Sequence, residues 1–280
     1  AWVLMVVDTY PLVSIITPVY NGSGYLEDLI QSVLNQDYPN IEHIIIDDGS
    51  QDNGATVSIL RRYSHLRWWS RANKGQYATM NEGLLAAQGE IICFANADDV
   101  VSPEAVKIAV QYMREHPFLD CVFGMTNYID QNGNDYPYWI PFRMASINFY
   151  PYFAHISHCS LYIKKESIQR HGLSFDPSLH FVGDYEWIIR IHKAGLRIGV
   201  IRRELSKVRI HTDQASQKNR EASALEAQMV LRTQHVNNVS YFLLSTINVF
   251  LLRVWKIGQM LKNVGLRGVV TCLTKRNSHL

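Results

Sequence analysis

An α/β domain with a mostly parallel central sheet and helices on both faces is the fold this sequence predicts. Three observations predict it. Between residues 12 and 115, short apolar runs rich in Ile and Val alternate with segments of helical periodicity, and no internal repeat is present. That order builds parallel sheets covered by helices. Two of the apolar runs end directly in acidic clusters, Asp47-Asp48-Gly49-Ser50 and Asn96-Ala97-Asp98-Asp99. In open α/β sheets, ligands bind outside the carboxyl ends of strands. Finally, 47% of the 280 residues are hydrophobic and 19% are charged, which supplies a large core and excludes a disordered chain.

Val13 to Val19 reads as a buried strand that stops near Pro18. Gly22-Ser23-Gly24 is a loop. Tyr25 to Gln36 has helical spacing, with Leu26, Leu29, Ile30, Val33 and Leu34 on one face. Asp37-Tyr38-Pro39-Asn40 ends it. Ile41 to Ile46 is a second strand, followed by a helix to about Tyr63 and a short strand around Leu66 to Trp69. Thr79 to Ala87 is the next helix, and Glu90 to Ala95 the next strand. Pro103 opens a helix at its first turn, where a missing N–H costs nothing. Asn127 to Pro151 is rich in Tyr, Pro, Asn and Trp and shapes either a substrate cleft or an ordinary packed loop. Ser160 to Lys164 and Leu205 to Ile210 are predicted strands. Tyr185 to Ala194 is a helix ended by Gly195.

Charge and motif content remove several function classes. The net charge of +2 hides an asymmetry: after Glu226 there are seven basic residues and no acidic one, which leaves residues 1–226 at about −5. A chain-wide nucleic-acid footprint is excluded, and a basic tail that meets an anionic surface is predicted. Cys93, Cys121, Cys159 and Cys272 have no metal or redox spacing, which fits a reducing compartment. The first ten residues have no basic leader and no small-residue cleavage site, so no signal peptide is read there. Gly22-Ser23-Gly24 lacks the third glycine of a dinucleotide fingerprint, and no P-loop, G-x-S-x-G elbow or H-E-x-x-H is present.

Asp98 and Asp99 follow a buried strand. Adjacent carboxylates there either hold a hard divalent cation or form a turn that caps the next helix. Asp47-Asp48 either bonds a ribose or base edge or is an ordinary Asp-Gly turn. Arg71, Asn73, Lys74 and Gln76 occupy a loop between strand and helix, where they reach a sugar or diphosphate or are solvated. His158, just before a predicted strand, is read as an ordinary hydrogen-bonded residue rather than as a contact to diphosphate or acceptor.

Taken together, the segments resemble a known family. Ser14-Ile15-Ile16-Thr17-Pro18-Val19-Tyr20-Asn21, Ile44-Ile45-Ile46-Asp47-Asp48-Gly49-Ser50 and Asn96-Ala97-Asp98-Asp99 resemble the nucleotide-sugar half of glycosyltransferase family 2. Gly183-Asp184-Tyr185-Glu186-Trp187 resembles its acceptor-side acidic motif. Arg209-Ile210-His211 with Gln214 and Ser216 resembles its closing segment. The resemblance covers about 12–216. It implies a GT-A fold, a nucleotide-sugar donor linked to UDP or dTDP, a divalent cation (Mn²⁺ or Mg²⁺) and inversion at the anomeric carbon. By position it implies that Pro18, Tyr20, Asn21 and Asp48 line the base and ribose pocket, with Asn73, Gln76, Asn96 and Ala97 also on the donor. It assigns Asp98 and His211 to the metal and Asp184 to the general base. An ordinary hydrogen-bonded role is the alternative for His211, and a helix cap for Asp184. Glu186 is the second candidate base, but two residues along a helix it points away from Asp184. Many members carry Asp where this chain has Asn96. An uncharged amide binds a metal less well, so Asn96 is read as a ribose or water-mediated contact.

The expected organisation is a catalytic domain over 11–216, with a nucleotide-sugar half to about 105 and an acceptor half beyond, and a basic amphipathic helical tail over 217–280. Residues 238–257 are apolar but interrupted by polar residues, too short a run for the ~20 residues that span a bilayer. A tail helix in the interface of an anionic membrane is predicted, with packing on the body or a partner as the alternative. The expected partners are the donor and a glycan or lipid-linked acceptor, in polysaccharide or glycolipid synthesis, at a cytoplasmic site on the inner face of the cell membrane. The alternatives are a nucleotide-sugar-binding protein without turnover and a nucleotidyltransferase.

Overall fold

The computed structural model describes residues 10–135 and 156–236. The elements follow in chain order: β1 (Val13–Val19), α1 (Leu26–Leu34), β2 (Ile41–Asp47), α2 (Ala55–Leu60), β3 (Arg67–Ser70), α3 (Gln76–Ala86), β4 (Ile91–Phe94), β5 (Val100–Val101), α4 (Ala105–Glu115) and β6 (Cys121–Ile129). A 3₁₀ turn, His158–Ser160, leads into β7 (Leu161–Lys164), α5 (Lys165–His171), α6 (Gly183–Lys193), β8 (Ile198–Arg209), α7 (Ala215–Lys218) and α8 (Arg220–Thr233).

One eight-stranded sheet runs β3-β2-β1-β4-β7-β6-β8-β5. β1 is buried along its whole length, which is why its apolar run is continuous rather than alternating. Successive side chains still point to opposite faces. Ile16 packs under α3 and α6 with Ile46, Met80, Phe94 and Trp187, whereas Ile15 packs under α1 and α4 with Leu29, Val33, Val106 and Val110. Trp187 is fully buried, stacked at 4.5 Å on Phe175 and edge-on at 5.6 Å to Phe94. These contacts fix α6 against the sheet.

The sheet is mostly parallel, with β6 and β8 also parallel, and its antiparallel pairings all involve β7 or β5. β1, β2, β3 and β4 are parallel neighbours, but β7 is antiparallel to both β4 and β6, and β5 is antiparallel to β8. The reason is where the chain enters β7. Its entry turn lies at the end of the sheet where β4 leaves, so β7 runs the other way. The last strand is also longer than its apolar pattern suggests. β8 starts at Ile198, and its register against β6 shifts around Met125, where bulges bend the strand.

Two helix starts differ from expectation. α3 begins at Gln76, because the N–H groups of Lys74 and Gly75 are held by the Asp48 carboxylate just before it. α4 begins at Ala105, because Glu104 takes a left-handed conformation after Pro103. At the far end, α8 is docked on the body. Val230 and Leu231 are buried, and the Glu226 carboxylate accepts N–H bonds from His180, Phe181 and Val182 at 2.7–2.9 Å. The predicted helix over 238–257, the first nine residues and most of the aromatic segment 127–151 lie outside the described residues. Among the described residues, no helix is long and apolar enough to cross a membrane.

Candidate active site

A cleft of about 830 Å³ opens at the carboxyl ends of β1, β2 and β4. Pro18, Tyr20, Asn21, Asp48, Asn73, Gln76, Asn96, Ala97, Asp98, Asp184 and His211 all line it, drawn from segments spread over almost two hundred residues. Two glycines allow the walls to approach. Gly49 has φ +75°, and a Cβ there would lie 2.9 Å from the Asn73 nitrogen. A Cβ at Gly183 would lie 2.7 Å from the Tyr77 ring. Only glycine lets the first turn of α6 settle on Tyr77 and deliver Asp184 to the cleft.

On the first wall, Tyr20 is exposed, with its ring available for stacking. Asn21 has a left-handed φ of 50°, and its side chain accepts the Gln51 N–H at 2.7 Å. Asp48 is buried and already engaged: it accepts the N–H groups of Lys74 (2.8 Å) and Gly75 (3.0 Å) and is paired with Arg71. These donors fasten its carboxylate to the 71–75 loop, while Asp48 still lines the cleft. Arg71 is likewise neither solvated nor free for a diphosphate, since it also bonds Glu82 and Thr79. Lys74 stays largely exposed, with its ammonium 3.8 Å from Glu82. Asn73 accepts the Gly75 N–H at 3.1 Å.

The adjacent carboxylates divide. Asp98 faces the cleft, and its Oδ2 lies 3.0 Å from Nε2 of His211. Asp99 points inward, where it accepts the Arg209 N–H (3.0 Å), the Asn96 amide (3.0 Å) and the Cys159 thiol (3.1 Å). Burial and then the neighbouring Asp98 charge push its pKa up. The second Asp of the pair is thus an anchor of the loop. Arg209 is the residue that holds this corner. It is 2% exposed, donates from Nε to the Asp98 carbonyl at 2.9 Å and from Nη2 to Asp28 at 2.8 Å, and lies 4.5 Å over the Tyr25 ring. That ring in turn packs 4.7 Å from His211. Nδ1 of His211 is buried with no hydrogen-bond partner among the described residues.

On the opposite wall, Asp184 sits in the first turn of α6, where the helix N-terminus favours a carboxylate. Its Oδ2 pairs with Nδ1 of His158 at 2.9 Å, and its Oδ1 receives a weak 3.4 Å bond from Tyr77. Burial pushes the Asp184 pKa up, but the hydrogen bond and charge of His158, with backbone N–H bonds from Tyr185 and Asp184, outweigh it and the net shift is downward. For His158, burial pushes down most, but the bond to Asp184 and the charges of Asp184, Asp99 and Asp98 together outweigh it, and the net shift is upward. His158 is therefore a correction: it is a buried member of the cleft, not an ordinary residue outside it. Its position before a strand carried no signal for this, because its partners are 26 and 62 residues away. Glu186 is buried, bonds Arg190 and Gln234, and takes no part in the cleft.

Comparison with known proteins gives the same picture. The family model described as glycosyl transferase family 2 matches residues 14–172, more than half of the chain. An uncharacterized glycosyltransferase of Rickettsia felis is 32% identical over 219 residues, which are 74% of this chain and 36% of the relative. The putative teichuronic acid biosynthesis glycosyltransferase TuaG of Bacillus subtilis is 36% identical over 123 residues, 42% of this chain and 47% of that one. The chain thus spans about a third of the length of the relatives from Rickettsia felis, Rickettsia conorii and Rickettsia bellii. Among solved structures, S. aureus TarS 1–349 in complex with UDP-GlcNAc superposes with a TM-score of 0.64 at 20% identity, over 81% of this chain and 67% of that one. That likeness establishes the GT-A fold.

Proposed function

The chain belongs to glycosyl transferase family 2, and from that premise we propose that residues 11–216 form an inverting transferase domain. It moves a sugar from a UDP- or dTDP-linked donor to a hydroxyl of a glycan or glycolipid. The observation that supports this reading best is that Asp98 and Asp184 stand in one cleft, on walls supplied by different halves of the domain. The names of TuaG and TarS's UDP-GlcNAc complex point in the same direction, toward envelope polymers and a uridine donor.

The chemistry follows from what each wall offers. Tyr20 presents a ring to the base, and Asn21, Asn73, Gln76, Asn96 and Ala97 offer polar and backbone groups along the donor. Asp98 and His211 suit a divalent cation: one carboxylate oxygen and one imidazole nitrogen, 3.0 Å apart, opening on the cleft. Among the described residues no cluster of three or more such side chains exists, so Asp98 and His211 would hold the cation together with ligands from donor or solvent. When bound, the cation supplies positive charge beside the departing diphosphate. Asp184 takes the proton of the acceptor hydroxyl as its oxygen attacks the anomeric carbon and the bond to the diphosphate breaks. A single in-line displacement inverts that carbon.

Product analysis with labelled UDP- and dTDP-sugars and a panel of glycan and lipid-linked acceptors tests this. Transfer with inversion is expected. Pyrophosphate release would mark a nucleotidyltransferase, and binding without turnover a non-catalytic protein. We further propose that the basic segment 238–280 meets anionic membrane, placing the domain at the inner face of the cell membrane. Sedimentation with anionic vesicles should drop when that segment is deleted.

A further inference from the structure

His158 sits between the two walls of the cleft and touches both. Its Nδ1 faces Oδ2 of Asp184 at 2.9 Å, and its Nε2 faces Oδ1 of Asn96 at 3.1 Å. The Asn96 amide is oriented by its other contacts. Its Nδ2 donates to Asp99 at 3.0 Å and its Oδ1 also accepts from Gln76, so an oxygen must face the imidazole. Both ring nitrogens therefore face acceptors. A neutral imidazole has only one N–H, and satisfying both acceptors requires two.

We infer that His158 is a positioning residue, a buried imidazolium that donates to Asp184 from one nitrogen and to Asn96 from the other, and so sets the acceptor-side carboxylate against the donor-side end of β4. The side chain is 6% exposed, so solvent supplies no alternative partner of consequence. The groups around it are acidic or neutral: Asp184 from α6, Asp98 and Asp99 from the loop after β4, the Cys159 thiol beside it, and Tyr77 from α3 beyond Asp184. Its upward pKa shift agrees with the geometry. The cation has two consequences. The imidazolium holds Oδ2 of Asp184, while Oδ1 receives the long Tyr77 contact. It also keeps Asp184 ionised in a setting that would otherwise protonate it.

The inference rests on the reading of Asp184 as the base, and the tests separate the two. The first test needs no turnover. Nitrogen-15 spectra of the histidine-labelled full chain, with His158 assigned by His158→Gln, should show both ring nitrogens protonated at pH 7. A neutral tautomer there, with the proton on Asp99 instead, would overturn the inference. The second test is kinetic. His158→Gln keeps an amide near the Nε2 position but loses the bond to Asp184. His158→Asn keeps a neutral donor near Nδ1 but loses the charge. Both should lower kcat about ten- to a hundredfold with donor affinity nearly unchanged, the range for partners that orient a reacting group. Both should also move the acid limb of the kcat profile upward by about 1–3 pH units, the effect of removing an adjacent opposite charge. An unmoved acid limb in a folded variant would show His158 to be merely structural. If Asp184→Asn keeps full turnover while the spectra show the imidazolium, the base assignment fails and the clamp stands.

Discussion

Two carboxylate–imidazole pairs share the cleft, and their geometry is nearly the same: Asp98 with His211 at 3.0 Å, and Asp184 with His158 at 2.9 Å. They differ on the far side of the ring. Nδ1 of His211 is buried without a partner among the described residues, whereas the second nitrogen of His158 bonds Asn96. The first pair is held through its surroundings, by Arg209 on the Asp98 carbonyl and by the Tyr25 ring against His211. The second is held through its own hydrogen bonds. A pair whose side-chain atoms are free to change partner suits a ligand that comes and goes. A pair locked at both ends suits a group that must stay aimed. Identical residue types thus receive different tasks from what lies behind them.

The largest effect should come from the locked pair. Asp184→Asn should lower kcat by about 10²–10⁴-fold, the usual worth of a positioned proton transfer, with donor affinity nearly unchanged. Asn retains the size, and Asp184 lies inside the first turn of α6 rather than at its N-cap, so folding is spared. Transfer assays paired with donor titrations read both quantities, and a collapse of donor binding would reverse the assignment of the two pairs.

The open pair should behave oppositely. Asp98→Ala and His211→Ala should each weaken UDP or dTDP binding in the presence of Mn²⁺ by more than about tenfold, while binding without the cation changes little. Calorimetry with and without Mn²⁺ measures this directly. Native affinity retained by both variants in the presence of Mn²⁺ would mean that the open pair holds no metal.

His43 sharpens the comparison as a buried imidazole with no carboxylate beside it. Its Nε2 meets the Thr17 hydroxyl at 3.1 Å, and burial, with a smaller contribution from His65, pushes its pKa down to about 3. Its folded value lies below the unfolded one of about 6.5, so its contribution is present above pH 6.5 and is lost as pH falls toward 3. Relative to His43→Gln, the native protein should lose about 1.4 kcal/mol per pH unit below 6.5. Urea unfolding at pH 7, 6 and 5 shows whether the gap between the two proteins closes as expected. His158, with its raised value, has the opposite sign.

The smallest effect concerns the support behind Asp184. Glu226 receives three consecutive N–H groups from residues 180–182, immediately before α6. Glu226→Gln keeps one acceptor and should cost about 1–3 kcal/mol, the worth of charge-assisted bonds to a half-buried carboxylate. A thermal melt reads the loss, and a larger fall in kcat than in stability would place Glu226 among the residues that aim the locked pair.

The sequence by itself determined the parallel strands β1 to β4 and the place of the cleft. Apolar runs ending in Asp47-Asp48 and Asn96 to Asp99 locate strand ends, because a strand's burial and its termination are both local properties. Gly183-Asp184 before an amphipathic helix located the opposite wall in the same way. Only the tertiary structure decided which side chains meet. Asp98 and Asp99 are adjacent and chemically identical, yet one faces the cleft and the other bonds Arg209, 110 residues away. Asp48 is taken by a loop 23 to 27 residues later. His158 reaches Asn96 because β7 lies antiparallel beside β4 and begins where β4 ends. Periodicity records which face of an element is buried, but not which strand will become its neighbour. The neighbour is chosen by the packing of the whole sheet, and with it the partner of every charged group at the sheet's edge.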